Sequence, residues 1–439
     1  MKTNTPLQTD LYQLTMGYGY WQSGMHEREA VFHLYYRTAP FSDKCVIAAG
    51  LEQALTWIDE FSFDEDELGY LSTLLGNDGQ PLFEKTYLQY LQKMKLSCDV
   101  WAVPEGELVY PNEPIMRIQG PLIQCQLLET ALLNIINFQT LIATQSARIC
   151  EAAQGDPVLE FGLRRAQGPD GGLSASRASY IGGCVGTSNV EAGYRYGIPV
   201  KGTHAHSWVM SFDSEMKAFE AYADAMPNNC VLLVDTYGTE SGVENAIEVG
   251  KRLRENGHEL QGVRLDSGDL LELSILARRR LDEEGFSEVD IVASNDLSVE
   301  SITHLKKNGA MINVWGVGTK LVTAFEQPAL GGVYKLAGLQ NTAGDWEWKV
   351  KRSDDLVKVS LPGMMQVFRD AEKDVIKHSP NEDSGLLECV VRNGSRCGSG
   401  EEILQIRERA VKKWLNRSQD REVVIDPELR AMQLSCLER

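Results

Sequence analysis

The sequence predicts an α/β protein: an irregular α/β barrel of about seven parallel strands, joined to an α+β, sandwich-like domain built from the two ends of the chain. Three observations support this prediction. Short β-rich segments alternate with helical ones between residues 157 and 325. Polar side chains cluster where those β-rich segments end. On either side of this region, prolines and turn residues separate short β-rich runs, a pattern typical of antiparallel sheet.

The length of 439 residues exceeds one ordinary domain and predicts two, or one large barrel with an added module. Apolar residues make up 43% of the chain, which is enough to build a core of this size. Changes in pattern predict three segments. They are an N-terminal α+β domain over residues 1–121, a barrel carrying the active site over 122–330, and a C-terminal segment over 331–439 that returns to the N-terminal domain.

The first segment begins with a helix that Thr9 or Asp10 can cap. Downstream, prolines at turns separate short β-rich runs, and this pattern predicts a small antiparallel sheet. The predicted elements are a strand at Ala30–Tyr36, a helix at about Gly50–Phe61, and strands at Val100–Val103 and Ile115–Ile118.

The second segment opens with residues 122–153, which lack proline and glycine and carry leucine and isoleucine at helical spacing. They predict a long or broken pair of buried helices. The alternation that follows requires parallel strands with right-handed crossovers. The predicted strands are 158–162, 186–189, 200–206, 231–235, 262–266, 291–295 and 312–316, and the predicted helices are 214–225, 239–256, 270–284 and 298–307.

β-Rich runs return in the third segment and predict strands at 331–336, 346–350, 357–359 and 366–368. The Gly-, Ser- and acid-rich stretch 380–402 predicts a loop. The charged stretch 401–417 predicts an exposed helix, and the residues after it are expected to be peripheral.

The chain carries 43 basic and 62 acidic residues, a net charge of −19. We therefore expect no main function in nucleic-acid binding, because a phosphate backbone requires a basic surface. No apolar run approaches the ~20 residues that span a bilayer, and the first residues form no apolar signal region, so we expect a cytoplasmic location and no membrane partner. The nine cysteines include no CxxC pair, which predicts buried free thiols rather than a zinc site or a disulfide framework.

A stretch near the middle of the chain, Gly202–Trp208, holds two of the seven histidines, His204 and His206. It follows a short apolar run, so we expect it at the end of a strand. Histidine can change its protonation near neutral pH and can act as a nucleophile. A structural His-x-His pair and half of a metal site are alternatives that the local sequence leaves open.

Charged residues follow other predicted strands of the barrel. Arg164 and Arg165 come directly after a strand, where paired arginines suit phosphate or carboxylate, although a salt-bridged turn is an equal alternative. Arg264 and Asp266 join a cation to a carboxylate that can orient hydroxyl groups or hold hydrated Mg²⁺. The equivalent position after two neighbouring strands is taken by Asp235 and Asn295.

Two glycine-rich loops suit anions. The loop Gly182–Asn189 leads into a helix that begins near Asn189, and backbone N–H groups there can bind an anion. Gly316, Gly318 and Thr319 follow the last predicted strand, where α/β barrels often bind a phosphate. Each loop has an ordinary Gly-rich turn as its alternative. Together with the arginines, carboxylates and histidine, these loops predict a site for a phosphorylated sugar and a second anionic partner.

These motifs resemble those of the nicotinate phosphoribosyltransferases, in the type II phosphoribosyltransferase class. The matching stretches lie in order between Thr9 and about Leu336, and they are Thr9–Gln13, Glu160–Gly168, Gly186–Asn189, Gly202–Ser207, Arg264–Asp269 and Gly331–Lys335. The resemblance implies an enzyme in which nicotinate attacks C1 of phosphoribosyl pyrophosphate (PRPP), giving nicotinate mononucleotide and pyrophosphate. It also implies Mg²⁺ as cofactor, ATP as co-substrate, and coupling to ATP hydrolysis through a phosphorylated histidine.

By motif position, the resemblance makes His206 the phosphohistidine and gives His204 no role. It implies that Asp235 and Asp266 hold ribose hydroxyls or metal-bound water, so that Mg²⁺ binds with PRPP rather than to protein ligands alone. It also implies a homodimer in which Tyr12 comes from the partner subunit. The implied catalytic residues are His206, Arg264 and Asp266, and the implied substrate-binding residues are Tyr12, Phe161, Arg164, Thr187, Ser188, Asp235, Asn295, Gly316, Gly318 and Thr319.

The choice of base follows from charge. The related nicotinamide enzyme carries an aspartate where this chain has Ser188, and an aspartate would repel the carboxylate of nicotinate. A serine does not repel it, so nicotinate is favoured. Two alternatives remain: a phosphoribosyltransferase that uses nicotinamide, and a non-catalytic nucleotide-binding relative that kept the fold.

Overall fold

The computed structural model describes residues 4–353, 359–380, 384–418 and 420–438. The chain forms two compact units: one comprises Met1–Leu141 and Ala329–Arg439, and the other comprises Ile142–Pro328. Among the described residues, no helix is both long and apolar enough to cross a bilayer. All nine cysteines are free thiols, and Cys125 and Cys230 are buried, as the sequence predicts.

The N-terminal part of the chain follows the predicted order of helices and strands. Asp10 is the residue before the first helix, and the predicted helix pair at 122–153 is confirmed as two consecutive helices. The elements are α1 (Leu11–Gln22), β1 (Glu29–Tyr36), β2 (Val46–Ile47), α2 (Leu51–Asp59), α3 (Glu65–Ser72), α4 (Lys85–Lys93), β3 (Asp99–Ala102), β4 (Leu108–Val109), β5 (Pro114–Pro121), α5 (Leu122–Leu127) and α6 (Glu129–Ala152).

The second unit alternates strands and helices. Its elements after α6 are β6 (Val158–Glu160), α7 (Gly168–Ile181), β7 (Gly186–Thr187), α8 (Val190–Tyr196), α9 (His206–Met210), α10 (Glu215–Ala225), β8 (Val231–Leu233), α11 (Thr239–Glu255), β9 (Gly262–Leu265), α12 (Leu270–Glu283), β10 (Asp290–Ala293), α13 (Val299–Lys307), β11 (Val314–Val317) and α14 (Thr319–Val322). A short 3₁₀ turn lies at Leu163–Arg165.

These strands form one parallel sheet in the order β7-β6-β11-β10-β9-β8, and Val200 pairs with Thr187 beside β7. Each strand is followed by a helix, which confirms the predicted α/β class. The core lies between sheet and helices, and the strands contribute Leu232, Val263, Ile291 and Trp315, all fully buried or nearly so. Asp269 and Ser298 cap α12 and α13 through their side chains, which fixes where these helices begin after their strands.

The C-terminal part adds strands to the first unit. Its elements are β12 (Gly332–Gln340), β13 (Trp346–Trp348), β14 (Met365–Arg369), β15 (Lys373–His378), β16 (Glu388–Arg392), β17 (Ser395–Arg396), α15 (Ile403–Leu415), β18 (Glu422–Ile425) and α16 (Pro427–Glu438). An antiparallel sheet runs in the order β13-β12-β1-β5-β3-β16-β17, so that three N-terminal strands lie in the middle with C-terminal strands on both sides. A smaller sheet has the order β14-β15-β18.

The prediction of a strand over residues 200–206 is wrong beyond Val200. His206 begins α9, a single helical turn. The apolar side chains that follow explain the helix, because Val209 is buried and the Trp208 Nε1 donates to the carbonyl of Ala218 in α10 at 3.0 Å. A two-residue alternation in the sequence could not reveal this packing.

Three C-terminal predictions also need correction. The predicted loop 380–402 contains β16 and β17. The helix predicted at 401–417 is not exposed all round, because Ile406, Ala410 and Trp414 are buried. The last residues are not peripheral, since Leu429 is fully buried and β18 pairs with β15. Of the strand predicted at 357–359, residues 357 and 358 lie outside the described residues.

Candidate active site

Three neighbouring strands of the parallel sheet end together and bring their polar residues into one place. Asp235 follows β8, Asp266 follows β9, and Ser294 follows β10. Arg264 lies within β9, two residues before Asp266. Carboxyl ends of parallel strands meet at one edge, which is where α/β barrels build their sites.

Arg264 is held by three hydrogen bonds. Its Nε donates to the Ser294 hydroxyl at 2.8 Å, one terminal nitrogen donates to the Thr203 hydroxyl at 2.9 Å, and the other donates to Asp266 Oδ1 at 3.0 Å. A guanidinium has five N–H groups, so within the described residues two remain open to a substrate anion. The arginine is thus fixed in direction before any substrate binds.

Asp266 is held in its ionised form. Burial raises its pKa, but hydrogen bonds from Ser294 and Arg264 and the positive charge of Arg264 outweigh burial, so the pKa of this carboxyl lies below its ordinary value. The free oxygen, Oδ2, lies 3.7 Å from Nε2 of His206. An ionised carboxylate therefore faces the histidine.

One carboxylate oxygen of Asp235 accepts two hydrogen bonds, and the other accepts none among the described residues. Its side chain is only 1% exposed, and Oδ2 accepts from the Asp266 backbone N–H at 3.0 Å and from the Ser267 hydroxyl at 2.5 Å. Oδ1 is buried and finds no hydrogen-bond partner among the described residues. A buried carboxylate oxygen in this state calls for a donor or a cation. Oxygen ligands of this kind suit Mg²⁺, although the described residues contain no cluster of three or more metal-ligating side chains.

His206 stands at the start of α9 with its side chain 40% exposed. Its Nδ1 lies 3.1 Å from the Thr236 hydroxyl, and its Nε2 lies 4.0 Å from Asp235 Oδ1. With Nδ1 bonded to Thr236, Nε2 is the ring atom that faces the two carboxylates and open space.

His204 lies in surroundings different from those of His206. The residue is 7% exposed, and its Nε2 accepts the backbone N–H of Leu233 at 3.2 Å. Burial lowers the pKa of His204 to about 4, so the imidazole is neutral at neutral pH. The structure therefore separates the two histidines of the motif by their surroundings.

Phe161, the residue after β6, lies beside this group. Its backbone N–H donates to Val317 at 2.8 Å, and its ring centroid lies 5.8 Å from the Arg264 guanidinium carbon. The ring packs on Gly316, where an added Cβ would lie 2.7 Å from Phe161 Cδ2. At Gly318 an added Cβ would lie 3.1 Å from the Phe161 carbonyl. These two glycines make room for Phe161.

A buried network fixes the ends of β6 and β7. Glu160 accepts hydrogen bonds from the Ser176 hydroxyl at 2.9 Å, the Thr187 hydroxyl at 2.5 Å and the Gly162 backbone N–H. The Thr187 hydroxyl also accepts from the Asn189 N–H at 2.9 Å, so its side chain is fully used inside the network. Ser188, between Thr187 and Asn189 in the chain, is half-buried and donates its backbone N–H to the Glu160 carbonyl at 2.9 Å.

The other predicted site residues are placed as follows. Arg164 is exposed in the 3₁₀ turn after β6, and Thr319 is the half-buried first residue of α14.

Asn295 is exposed after β10 and has a left-handed backbone with φ of 89°. The next residue, Asp296, forms an ion pair with Lys320 at 3.3 Å. Tyr12 lies on α1 of the first unit and is 48% exposed, and its hydroxyl is 3.5 Å from Glu129.

Several residues that support the site were not predicted. Thr203, Thr236 and Ser294 anchor Arg264 and His206, and Glu160 anchors Thr187. Each lies within or beside a motif or strand end that the sequence singles out. Nothing in these side chains signalled which neighbour they would contact.

Two family models match the chain. The model described as the nicotinate phosphoribosyltransferase (NAPRTase) N-terminal domain matches residues 7–137, and the model described as the nicotinate phosphoribosyltransferase (NAPRTase) family matches residues 158–348. The second match contains every predicted site residue except Tyr12, which lies in the first.

Curated proteins give the same result. The chain is 46% identical over 364 residues to the nicotinate phosphoribosyltransferase of Bacillus subtilis, covering 83% of this chain and 72% of that protein. It is 41% identical over 434 residues to nicotinate phosphoribosyltransferase pncB2 of Mycobacterium tuberculosis, covering 97% and 89%.

Solved structures resemble the fold. The crystal structure of human nicotinic acid phosphoribosyltransferase matches with a TM-score of 0.81 and 29% identity, covering 97% of this chain and 99% of that one. A nicotinate-nucleotide pyrophosphorylase from Pyrococcus furiosus matches with a TM-score of 0.75 at 20% identity, a likeness of fold alone.

Proposed function

Because the chain belongs to the nicotinate phosphoribosyltransferase family, we propose that it transfers phosphoribosyl from PRPP to nicotinate, giving nicotinate mononucleotide and pyrophosphate for NAD salvage. We further propose that ATP hydrolysis is coupled to this transfer through a phosphorylated His206. The observation that supports both parts is the convergence of Arg264, Asp266, Asp235 and His206 at one edge of the parallel sheet.

Displacement at C1 of PRPP passes through an oxocarbenium-like state, with negative charge leaving on pyrophosphate. Arg264 is fixed by three hydrogen bonds and keeps two N–H groups for that charge, and exposed Arg164 can contribute from the turn after β6. Asp235 and Asp266 would bind ribose hydroxyls and, with PRPP, hold Mg²⁺. Bound Mg²⁺ would neutralise negative charge on the leaving pyrophosphate.

In the proposed complex, the nicotinate ring and the 5′-phosphate of PRPP bind on either side of Arg264, Asp235 and Asp266. Phe161 stacks on the pyridine ring, and Ser188 accommodates the carboxylate of nicotinate without repelling it. Gly316, Gly318 and Thr319 bind the 5′-phosphate, with Asn295 as a further polar contact. Thr187 acts by positioning this loop through the Glu160 network rather than through a direct contact of its hydroxyl, which is already bonded.

His206 suits phosphoryl transfer at Nε2. A nucleophilic Nε2 needs its lone pair free, so the ring proton must be on Nδ1, where it can be donated to the Thr236 hydroxyl at 3.1 Å. Nε2 then takes the γ-phosphoryl group of ATP, and ADP leaves. Hydrolysis of the phosphohistidine returns the ring to its starting form.

The activity is tested by incubating the protein with nicotinate, PRPP and Mg²⁺, with and without ATP. We expect nicotinate mononucleotide in both conditions and a higher rate with ATP. Absence of the mononucleotide in both would overturn the proposal. PRPP binding by calorimetry without turnover would identify a non-catalytic relative instead.

The role of His206 is tested with the variant His206→Ala and γ-labelled ATP. We expect the variant to lose both the label on the protein and the stimulation by ATP, while the wild type shows both. His304→Ala, which removes an exposed histidine on α13, is the matched control. ATP stimulation that survives in His206→Ala would refute this role.

A further inference from the structure

The parallel sheet has an unpaired side at β8, the last strand in its order. In a parallel ladder, successive backbone N–H groups point to opposite sides. Val234, directly after β8, donates its N–H to the Arg264 carbonyl of β9 at 3.1 Å. The Leu233 N–H therefore points away from β9, to a side where no strand among the described residues pairs. A buried N–H left unpaired there would be costly.

His204 occupies that side. Its Nε2 accepts the Leu233 N–H at 3.2 Å, so one imidazole takes the place of a strand at the edge of the sheet. We propose that His204 is a positioning residue, which anchors the segment leading into His206 to β8 through this hydrogen bond. The effect on ATP coupling rests on the proposed function, whereas the anchor itself does not.

Only one protonation state of His204 fits. Nε2 must be unprotonated to accept from Leu233, so the ring proton lies on Nδ1, which faces the Ala205 carbonyl at 3.4 Å. The ring packs against Tyr222 at 4.8 Å and Phe219 at 5.9 Å between centroids. The charged or titratable neighbours are Arg264, His206 and Tyr222, and of these Arg264 and His206 disfavour a positive charge on this ring. The site thus keeps the acceptor available at neutral pH.

A second anchor lies on the other side of His206. Trp208 donates its Nε1 proton to the Ala218 carbonyl at 3.0 Å and packs against Phe212 at 4.9 Å. His206 stands midway between His204 and Trp208, on a helix of one turn that has little stability of its own. Its distances to Asp235 and Asp266 are therefore set by the anchors on either side.

Two variants separate the hydrogen bond from the packing. His204→Phe keeps an aromatic ring against Tyr222 and Phe219 but removes the acceptor. His204→Gln places an amide oxygen near the former Nε2 position and restores the acceptor. The matched control is His304→Phe, which replaces an exposed histidine in the same unit.

The first measurement is amide hydrogen exchange at Leu233. We expect exchange in His204→Phe to be about three- to tenfold faster than in the wild type, in line with the loss of one hydrogen bond, and to be slower again in His204→Gln. The control should match the wild type. Unchanged exchange at Leu233 in His204→Phe would overturn the anchor.

The second measurement is the ATP-stimulated part of mononucleotide formation and the labelling of His206 by ATP. We expect both to fall about three- to tenfold in His204→Phe and to recover in His204→Gln. Faster exchange with unaltered ATP coupling, or an equal loss in both variants, would overturn the positioning of His206. If the wild type itself shows no ATP stimulation, the proposed coupling fails, and the exchange at Leu233 still decides the anchor.

Discussion

At the scale of single residues, surroundings divide two identical side chains between different tasks. His206 keeps Nε2 in open space facing two carboxylates, whereas His204 has its Nε2 bonded to the backbone of β8. The sequence placed both within one motif, two residues apart. Family resemblance selected His206, and the burial of His204 gives a physical reason for the choice.

The residue that decides the base is predicted to be Ser188. Ser188→Asp should place a negative charge beside the carboxylate of nicotinate, and we expect the KM for nicotinate to rise at least tenfold, corresponding to about 1.4 kcal/mol of repulsion. The same change at Ser287, an exposed residue of the second unit, is the control. An unaltered nicotinate KM in Ser188→Asp would count against the charge argument.

At the scale of elements, strand ends set the distances of the site. β6 and β11 are neighbours in the sheet, and the ring of Phe161 after β6 lies on Gly316 within β11. A side chain at position 316 would occupy the space that the ring needs. The position of the ring thus depends on the absence of a side chain in the adjacent strand.

We therefore expect Gly316→Ala to displace Phe161 and to raise the KM for nicotinate several-fold more than the KM for PRPP. The physical reason is overlap, since the added Cβ would lie 2.7 Å from the ring. Steady-state kinetics with each substrate varied in turn will measure the split. Gly171→Ala, where a Cβ meets nothing within 4 Å, is the matched control, and equal kinetics in both variants would contradict the expectation.

Most elements of the second unit could be predicted because strands and helices there follow regular hydrophobic patterns. The predicted helix at 239–256 is observed as Thr239–Glu255, and the predicted strand at 231–235 is observed as Val231–Leu233. The segment after Val200 could not be predicted, since its form depends on Leu233 and Ala218, which are distant in sequence. The same holds for Arg264, whose partners Thr203 and Ser294 lie on other strands or loops.

At the scale of the whole molecule, two buried histidines make stability depend on pH. Burial lowers the pKa of His204 to about 4 and that of His33, in the first unit, to about 3. The unfolded chain takes up a proton at each near pH 6.5, whereas the folded chain does not until the lower value. The free energy of unfolding should therefore decrease as the pH falls from about 6.5 to about 4, and these two groups should add no pH dependence above 6.5.

Urea unfolding at about pH 7.5 and about pH 5 will measure this decrease. The titration of His204, which lies in the second unit, should account for roughly 2 kcal/mol of the decrease in the free energy of unfolding. His204→Phe removes the titrating group, so its decrease should be smaller by that amount. An equal decrease in the variant and the wild type would show that His204 titrates normally.

The predicted homodimer can be tested through Tyr12. If Tyr12 completes the site of the partner subunit, a mixture of inactive Tyr12→Ala and uncoupled His206→Ala chains will contain mixed dimers with one intact site each. After dissociation and reassembly, about a quarter of all sites should recover ATP-stimulated activity, because half of the dimers are mixed. If light scattering shows the mixed sample to be dimeric and no ATP-stimulated activity recovers, Tyr12 belongs to the site of its own chain.

The central claim is that this edge of the parallel sheet joins nicotinate to the phosphoribosyl group of PRPP. The most direct test offers equal nicotinate and nicotinamide, together with PRPP, Mg²⁺ and ATP, and identifies the product by mass spectrometry. We predict nicotinate mononucleotide as the dominant product. Nicotinamide mononucleotide as the dominant product, or no mononucleotide at all, would contradict the account.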